Sequence, residues 1–497
     1  MSFASATYIL LGLYMLLTLY IVYRGATKTK DIKDFAIGDG FSPLVVGLSL
    51  AASITSAATF IINPGFVAMY GWSAFLAMSI VLPIGLFISL IVLSKSFRKF
   101  GSNTKALTLA QWVGKRYDSK FLAYLMAFCS ILLLTFIILI CVGLTKVIAN
   151  ALNANELWVL IIMVVFVFTY TMFGGANSMV YTNTIQAVLM IIVAIILIGS
   201  GFDYFSNGVD AFWTKLDAID PKMSASFNDQ SPLFRDWFEV IFCNFVVGIA
   251  IVCQPHIITK SLMLKNDHDV NKYLLVAIVV EALFFAVLFA GLYARLMFPD
   301  LINDGHLLKM DGIFSVYVVK RFSVSVGIIV VLGLISAGLS TLEGIIQSLS
   351  TTISNDIIVP ILALEGQTAK INKINKWVII LLAIVAIIGS YQQLNYPNLS
   401  VGILAQNGVY AYFSAAFVPV LFGIFINNTP KQAAIGATIT AIIVHFSVYY
   451  GQLTYYTSGT IKNPTVAAAL AIISALIVGY MLLIVYRPKP VLNGNLN

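Results

Sequence analysis

The sequence predicts an all-helical integral membrane protein whose helices fall into two comparable halves. Three observations predict it. Sixty per cent of the 497 residues are hydrophobic, only 10% are charged, and the mean hydropathy is +0.95, far from the soluble globular range. Apolar runs of about 18 residues or more recur along the chain, each long enough to cross a bilayer as a helix. Basic residues also alternate from loop to loop. When the runs are threaded through a membrane, 20 of the 29 Lys and Arg fall on one side, as cytoplasmic loops require. That bias accounts for the net charge of +8 better than nucleic-acid binding does.

Thirteen helices result, centred near residues 15, 53, 84, 135, 163, 190, 247, 284, 335, 383, 412, 440 and 475. The first run, Tyr8 to Tyr23, is too long for a signal-peptide core and no small-residue cleavage site follows it, so it reads as a retained span. Arg24, Lys28, Lys30 and Lys33 form the first basic loop, and the run of basic residues from Lys95 to Lys120 the next. The second helix is interrupted by Ala51-Ala52-Ser53-Ile54-Thr55-Ser56-Ala57-Ala58-Thr59, followed by Asn63-Pro64-Gly65. Small and hydroxyl residues dominate there, and Pro64 removes a helical donor. Lys146 of the fourth helix reads as snorkelling outward. The sixth helix opens with Phe173-Gly174-Gly175-Ala176-Asn177-Ser178 and carries Thr182-Asn183-Thr184-Ile185-Gln186.

The polar stretch Gly201 to Asp236 divides the chain into halves of about five core helices each, the layout of an inverted-repeat transporter. The seventh helix is expected to end at Cys253-Gln254-Pro255-His256, with Lys260, Lys265 and Lys272 in the basic loop after it. His256 there reads as a structural histidine near the cytoplasmic end. Glu281 in the eighth helix is a near-membrane charge with no polar stripe around it. The ninth helix carries Ser336-Ala337-Gly338-Leu339-Ser340-Thr341-Leu342-Glu343-Gly344. Ala337, Ser340, Thr341, Gly344 and Ser348 share one helical face. Glu343 at that depth, where an ionised carboxylate costs about 2.5–3.5 kcal/mol, must hold a cation, carry a proton or pair with a polar neighbour. The eleventh helix contains Gln406-Asn407-Gly408-Val409-Tyr410-Ala411-Tyr412, a candidate break. Lys370, Lys373, Lys376, Lys431, Arg487 and Lys489 complete the basic side, which puts the N-terminus outside and the C-terminus in the cytoplasm.

Hydroxyl-lined helices beside broken ones supply the oxygens a hard cation needs, although small residues also serve close helix packing. The four cysteines lie in apolar runs without metal-ligand spacing and read as small buried hydrophobes. No nucleotide-binding loop or enzyme motif is present, so the chain is not expected to be an enzyme or an ATP-driven pump. A receptor of transporter fold or an ion channel would be the readings from other classes; little chain follows the last apolar run in which an output domain could lie.

These segments together resemble the sodium:solute symporter family, across about residues 8 to 486. The resemblance rests on Asn63-Pro64-Gly65, on Gly174-Gly175 to Gln186, on Gln254-Pro255-His256-Ile257, and on the Ser/Thr helix from Ser336 to Asp356. It implies a LeuT-like fold of thirteen helices with a five-plus-five inverted-repeat core and Na⁺ as the coupling ion. One transmembrane domain would span 1–497: a peripheral first helix (7–24), repeats at 42–200 and 234–425, and peripheral helices at 430–486. Aligned on Pro64 and Asp356, the family's main sodium site falls on Ala52, Thr55, Ala337, Ser340 and Thr341. Many relatives have Asp where this chain has Asn183, and a small residue where it has Glu343. The departures imply a relocated second cation site of Glu343, Asn183 and Gly344, or a proton site at Glu343. The same alignment turns Ser56 and Thr59 to the substrate, with Gln406, Asn407 and Tyr410 completing the cavity. Proline's aromatic partners in the family fall on Val247 and Ile251, and the sialic-acid branch's Arg falls at Thr135-Phe136, which disfavours both solutes. The expected partners are a small organic solute and the lipid bilayer, not nucleic acid, and a monomer is expected to suffice. The expected activity is Na⁺-coupled import of a small organic solute (a carboxylate, amino acid, vitamin or sugar) by alternating access across a plasma or bacterial inner membrane, with H⁺ coupling through Glu343 as the alternative.

Overall fold

The structure is a computed structural model that describes residues 3–38, 40–396 and 400–486; Arg487 and Lys489 lie outside the described residues. Among the described residues, ten helices are long and apolar enough to cross a membrane, or twelve if each of two bent pairs is one span. We label α1 (Thr7–Ala26), α2 (Pro43–Ile54 with Ala58–Tyr70), α3 (Trp72–Thr104) and α4 (Lys120–Leu152). The next helix runs without a gap from Glu156 to Gly199, 44 residues. Straight, it would be about 66 Å long, twice a bilayer core.

It is not straight. Tyr170 and Gln186 both hydrogen-bond Glu343 Oε1, yet on one straight helix they would stand about 24 Å apart. The chain reverses at Gly175, whose φ of 54° and ψ of −156° are non-helical. A Cβ there would also lie 2.8 Å from Phe35 Cα, so only glycine fits. The two arms are α5 (156–174) and α6 (176–199). A count of thirteen depends on this division.

The remaining spans are α7 (Phe238–Ile251 with Pro255–Met263), α8 (Asp267–Met297), α9 (Val324–Ile361), α10 (Thr368–Asn395), α11 (Val401–Phe425), α12 (Lys431–Gly451) and α13 (Pro464–Tyr486). The most apolar windows of α11 and α9 are 83% and 72% buried against 22% for α1, which makes α9 and α11 central and α1 peripheral. α1 packs on the α5–α6 pair, while α12 and α13 pack on each other and on α11. Between α6 and α7, the helix Val209–Ile219 buries Phe212 and Leu216, and the Met223 carbonyl caps the Gly71 turn through Trp72 N–H at 2.8 Å.

Two spans are broken, each for a readable reason. α2 unwinds after Ile54: Thr55 is extended (φ −81°, ψ 102°), and the helix restarts where Ser56 Oγ accepts Ala58 N–H at 3.0 Å. Hydroxyl side chains compete in this way with helical backbone bonds. The two parts meet at 54°. α7 breaks at Gln254, which is extended before Pro255 (φ −68°, ψ 134°), because a residue preceding proline avoids the helical region. Its parts meet at 58°.

Three expectations are corrected here. The seventh span does not end at His256 but continues to Met263, so Gln254-Pro255-His256 is a mid-span break. Lys260 is therefore not a loop charge; it is 1% exposed. The eleventh span is an unbroken helix through Gln406 to Tyr412. Gly408 serves contact there, since a Cβ would strike Thr135 of α4. At the end of α9, Asp356 accepts from Thr108 Oγ1 at 2.5 Å and Gln111 Nε2 at 2.8 Å, tying the helix Leu109–Arg116 to the core. All four cysteines are free, with only Cys129 partly exposed.

Candidate functional site

Where α2 unwinds, its carbonyls are released from helical bonding and turn toward α9. Ser340 Oγ lies 2.6 Å from Ala52 O and 3.0 Å from Ala337 O. Thr341 Oγ1 lies 2.9 Å from Ser53 O, 3.3 Å from Thr55 O, 3.4 Å from Ala52 O and 3.5 Å from Ala337 O. The five residues expected from the sequence, Ala52, Thr55, Ala337, Ser340 and Thr341, thus come together, all 0% exposed, and Ser53 O joins them. Two hydroxyls carry two protons between them and face four carbonyls. Such an excess of neutral oxygen over donors fits a hard monovalent cation. Among the described residues no three His, Cys, Asp or Glu side chains group as a transition-metal site would need.

Thr55 has a second bond, from its hydroxyl to Glu281 Oε2 of α8 at 2.9 Å. Glu281 is fully buried, and its Oε1 meets no donor. No local signal marks this contact, because the two residues lie 226 positions apart.

Glu343, on the face of α9 turned to α5 and α6, accepts from Tyr170 OH, from Thr182 Oγ1 at 2.6 Å and from Gln186 Nε2 at 3.1 Å. Gln186 also donates to Tyr14 OH at 2.8 Å. Asn183 bonds Ser53 Oγ at 2.9 Å rather than Glu343. Gly344 faces His256 Cβ and Ser53 Oγ at 3.4 and 3.6 Å from its would-be Cβ. Between these groups stands Lys260 of α7, donating to Ser49 O at 2.9 Å and Ser49 Oγ at 2.5 Å.

A cavity of about 100 Å³ opens beside the α2 break, lined by Ile54, Ser56, Ala58 and Thr59. α7 adds Ile251, Gln254 and His256, α4 adds Phe136 and Leu139, and α11 adds Gly402, Ala405, Gln406, Val409 and Tyr410. Among the described residues, no Lys, Arg, Asp or Glu lines it. Gln254 Oε1 and His256 Nδ1 are buried without partners. Ser56, Thr59, Gln406 and Tyr410 therefore line the cavity as expected, but Asn407 does not. One position further round α11 is a turn of about 100°, and Asn407 instead bonds Tyr450 OH at 3.0 Å and His445 Nε2 at 2.9 Å on α12. Gln254 and His256 were missed as cavity residues; the Gln-Pro pair carried the signal, since it marks a break rather than an end.

Broken α2 against hydroxyl-bearing α9, with the cavity at the break, is the geometry of ion-coupled transporters. The model of the sodium:solute symporter family matches residues 35–441. The chain belongs to this family. Na⁺-coupled symport of a small organic solute is therefore its activity class, and it is a multi-pass membrane protein. It is 24% identical over 442 residues to the sodium/pantothenate symporter of Escherichia coli (strain K12), covering 86% of each chain. It is 25% identical over 458 residues to sodium/proline symporter 2 of Staphylococcus saprophyticus, covering 88% of this chain and 85% of that one. Among solved structures, a Na⁺-coupled sialic acid symporter in a substrate-bound outward-open state superposes with a TM-score of 0.75 at 17% identity, over 98% of this chain and 99% of that one. A nucleobase-cation-symport-1 family transporter in a closed conformation gives 0.53 at 13% identity, over 90% and 93%. The fold is LeuT-like, as the sequence implied.

Proposed function

We propose that this symporter binds its coupling Na⁺ between the carbonyls of Ala52, Thr55 and Ala337 and the hydroxyls of Ser340 and Thr341, and its solute in the cavity beside Ser56 and Thr59. The donor-poor oxygen cluster carries the reading. The cation and the solute share the unwound segment 54–59: an ion that draws the Ala52 and Thr55 carbonyls toward α9 also fixes where Ser56 and Thr59 point. Coupling then follows as a linkage between adjacent sites, so Na⁺ raises solute affinity and the solute raises Na⁺ affinity by the same factor. Inward movement of one Na⁺ gains about 2.3 kcal/mol per 100 mV of membrane potential, which favours import by alternating access. The membrane is the bacterial plasma membrane, with the N-terminus outside and the C-terminus inside, and a monomer contains every group used.

The cavity chemistry selects a small solute with no net charge, uncharged or zwitterionic. Gln254 Oε1 and His256 Nδ1 await polar partners, Ser56, Thr59, Asn63, Gln406 and Tyr410 add neutral polar groups among apolar side chains, and among the described residues no side-chain charge lines the cavity to balance an anion. Thermal-shift screening of purified protein with Na⁺ or with choline tests both parts. Neutral and zwitterionic solutes should stabilise the protein only with Na⁺. Equal stabilisation in choline would refute the coupling site, and Na⁺-dependent binding of a monocarboxylate such as pantothenate in preference to neutral solutes would refute the solute class.

A further inference from the structure

One turn from the proposed Na⁺ site, Lys260 is 1% exposed on a half-helix that the sequence marks as loop. Its ammonium has three protons and three neutral oxygen partners. Two are Ser49 O and Ser49 Oγ, at 2.9 and 2.5 Å. The third is Asn183. With its amide turned so that both ends are satisfied, Asn183 Oδ1 lies 3.1 Å from Lys260 Nζ and 2.9 Å from Ser53 Oγ, and its nitrogen lies 3.0 Å from Gln186 Oε1. The opposite orientation would aim an amide N–H at an ammonium. Gln186 in turn donates to Glu343, so a continuous chain joins Lys260, Asn183, Gln186 and Glu343 across α7, α6 and α9.

We propose that Lys260 is a tethered cation that fills the second cation site, so that this symporter couples transport to one Na⁺. The proposal rests on the Na⁺ reading of the Ser340–Thr341 cluster. The residues expected to hold a second ion, Asn183 and Glu343, are already engaged by an internal positive charge and its hydrogen-bond chain. The oxygens around Nζ are a carbonyl, a hydroxyl and an amide, the donor types a Na⁺ would take. Charge balance points the same way. Glu343 and Lys260, one acidic and one basic group, are both buried on this face and joined by the hydrogen-bond chain; a second Na⁺ would add a positive charge to a buried site that already holds a basic group, which is strongly unfavourable. Glu281, another buried carboxyl, is engaged with Thr55.

The test counts bound ions. Purified full-length protein is incubated with radioactive sodium, without solute, and stoichiometry at saturation is measured against choline. Wild type and Lys260→Arg should bind one Na⁺ per chain. Lys260→Ala frees Ser49, Asn183 and Glu343 and should bind two; adding Glu343→Gln should return it to one. Adding Ser340→Ala to wild type should remove most binding, whereas in the Lys260→Ala background one ion should remain. Two ions bound by wild type would overturn the proposal, and this count needs no variant to fold. One ion bound by folded Lys260→Ala or Lys260→Gln would overturn it too, while leaving the main site standing. No ion bound by wild type would instead overturn the main-site reading and, with it, this one.

Discussion

Two polar clusters lie side by side on α9, and they are built on opposite principles. Around Ser340 and Thr341, four carbonyls from α2 and α9 face two hydroxyls, and the Glu281 carboxyl meets the cluster through the Thr55 hydroxyl. Around Glu343, one turn away, donors are plentiful: Tyr170, Thr182 and Gln186 surround the carboxylate, and Lys260 supplies the positive charge. The first cluster has more oxygens than donors, an excess that the proposed Na⁺ would satisfy. The second is complete by itself. On the proposed reading the mobile ion sits at the excess of neutral oxygens beside the broken helix and not at the buried carboxylate.

The largest effect expected from this contrast is at the hydroxyls. Ser340→Ala or Thr341→Ala removes one oxygen from the proposed ion without altering the helix, a loss on the scale of about 1.5–3 kcal/mol for a bond to a charged group. Apparent Na⁺ affinity should fall about 10- to 100-fold, read as the Na⁺ concentration that half-saturates thermal stabilisation. Unchanged Na⁺ dependence in both folded variants would erase the distinction between the clusters and return Ser340 and Thr341 to a packing role.

Thr55→Val separates the carbonyl from the hydroxyl at one residue. The carbonyl remains for the cation, but Glu281 Oε2 loses its partner while Oε1 already lacks one, which costs about 1–3 kcal/mol. The variant should melt earlier with or without Na⁺, and its Na⁺ affinity should drop less than that of Ser340→Ala. A larger drop than Ser340→Ala would mean that the Glu281–Thr55 pair, rather than the hydroxyls of α9, shapes the site.

Gln254→Leu probes the other product of helix breaking, the cavity. Its buried carbonyl oxygen is offered to the solute, so a neutral hydrogen bond of about 0.5–1.5 kcal/mol is at stake. Solute affinity should weaken up to about tenfold, while Na⁺ binding without solute stays as in wild type. Loss of Na⁺ binding without loss of solute binding would reverse the assignment of the two breaks.

Much of this was legible in the sequence because it depends on local chemistry. Small and hydroxyl residues before Pro64 unwind α2, and the spacing of Ala337, Ser340 and Thr341 fixes one face of α9; which five residues supply the oxygens came from the resemblance to the family. Gly174-Gly175 likewise marks the reversal between α5 and α6. What escaped depends on distant parts of the chain. Lys260 among other lysines looks like a loop residue, and nothing local says that α7 resumes after Pro255 and carries it to Ser49, 211 positions away. Glu281 looked isolated because its partner, Thr55, lies in the other half of the chain. Gln406 to Tyr412 resembled a break, but its glycine answers to Thr135 across the interface and not to its own helix.

The smallest effect tests how finely a helix face can be read. Gln406 and Asn407 are adjacent on α11, and both were expected at the solute. The structure divides them: Gln406 lines the cavity, whereas Asn407 links α11 to α12 through Tyr450 and His445. Gln406→Ala should therefore raise the solute concentration needed for half-maximal uptake, by the few-fold that one neutral hydrogen bond of about 0.5–1.5 kcal/mol allows. Asn407→Ala should leave that concentration nearly unchanged. Its cost falls on stability, because His445 Nδ1 is already without a partner and the substitution strips Nε2 of its partner as well. A melting temperature lowered by a few degrees, with solute dependence like that of wild type, is the expected signature. If Asn407→Ala instead matched Gln406→Ala in solute dependence, α11 would have to rotate toward the cavity during transport, and the boundary drawn between the two residues would describe one conformation rather than the working site.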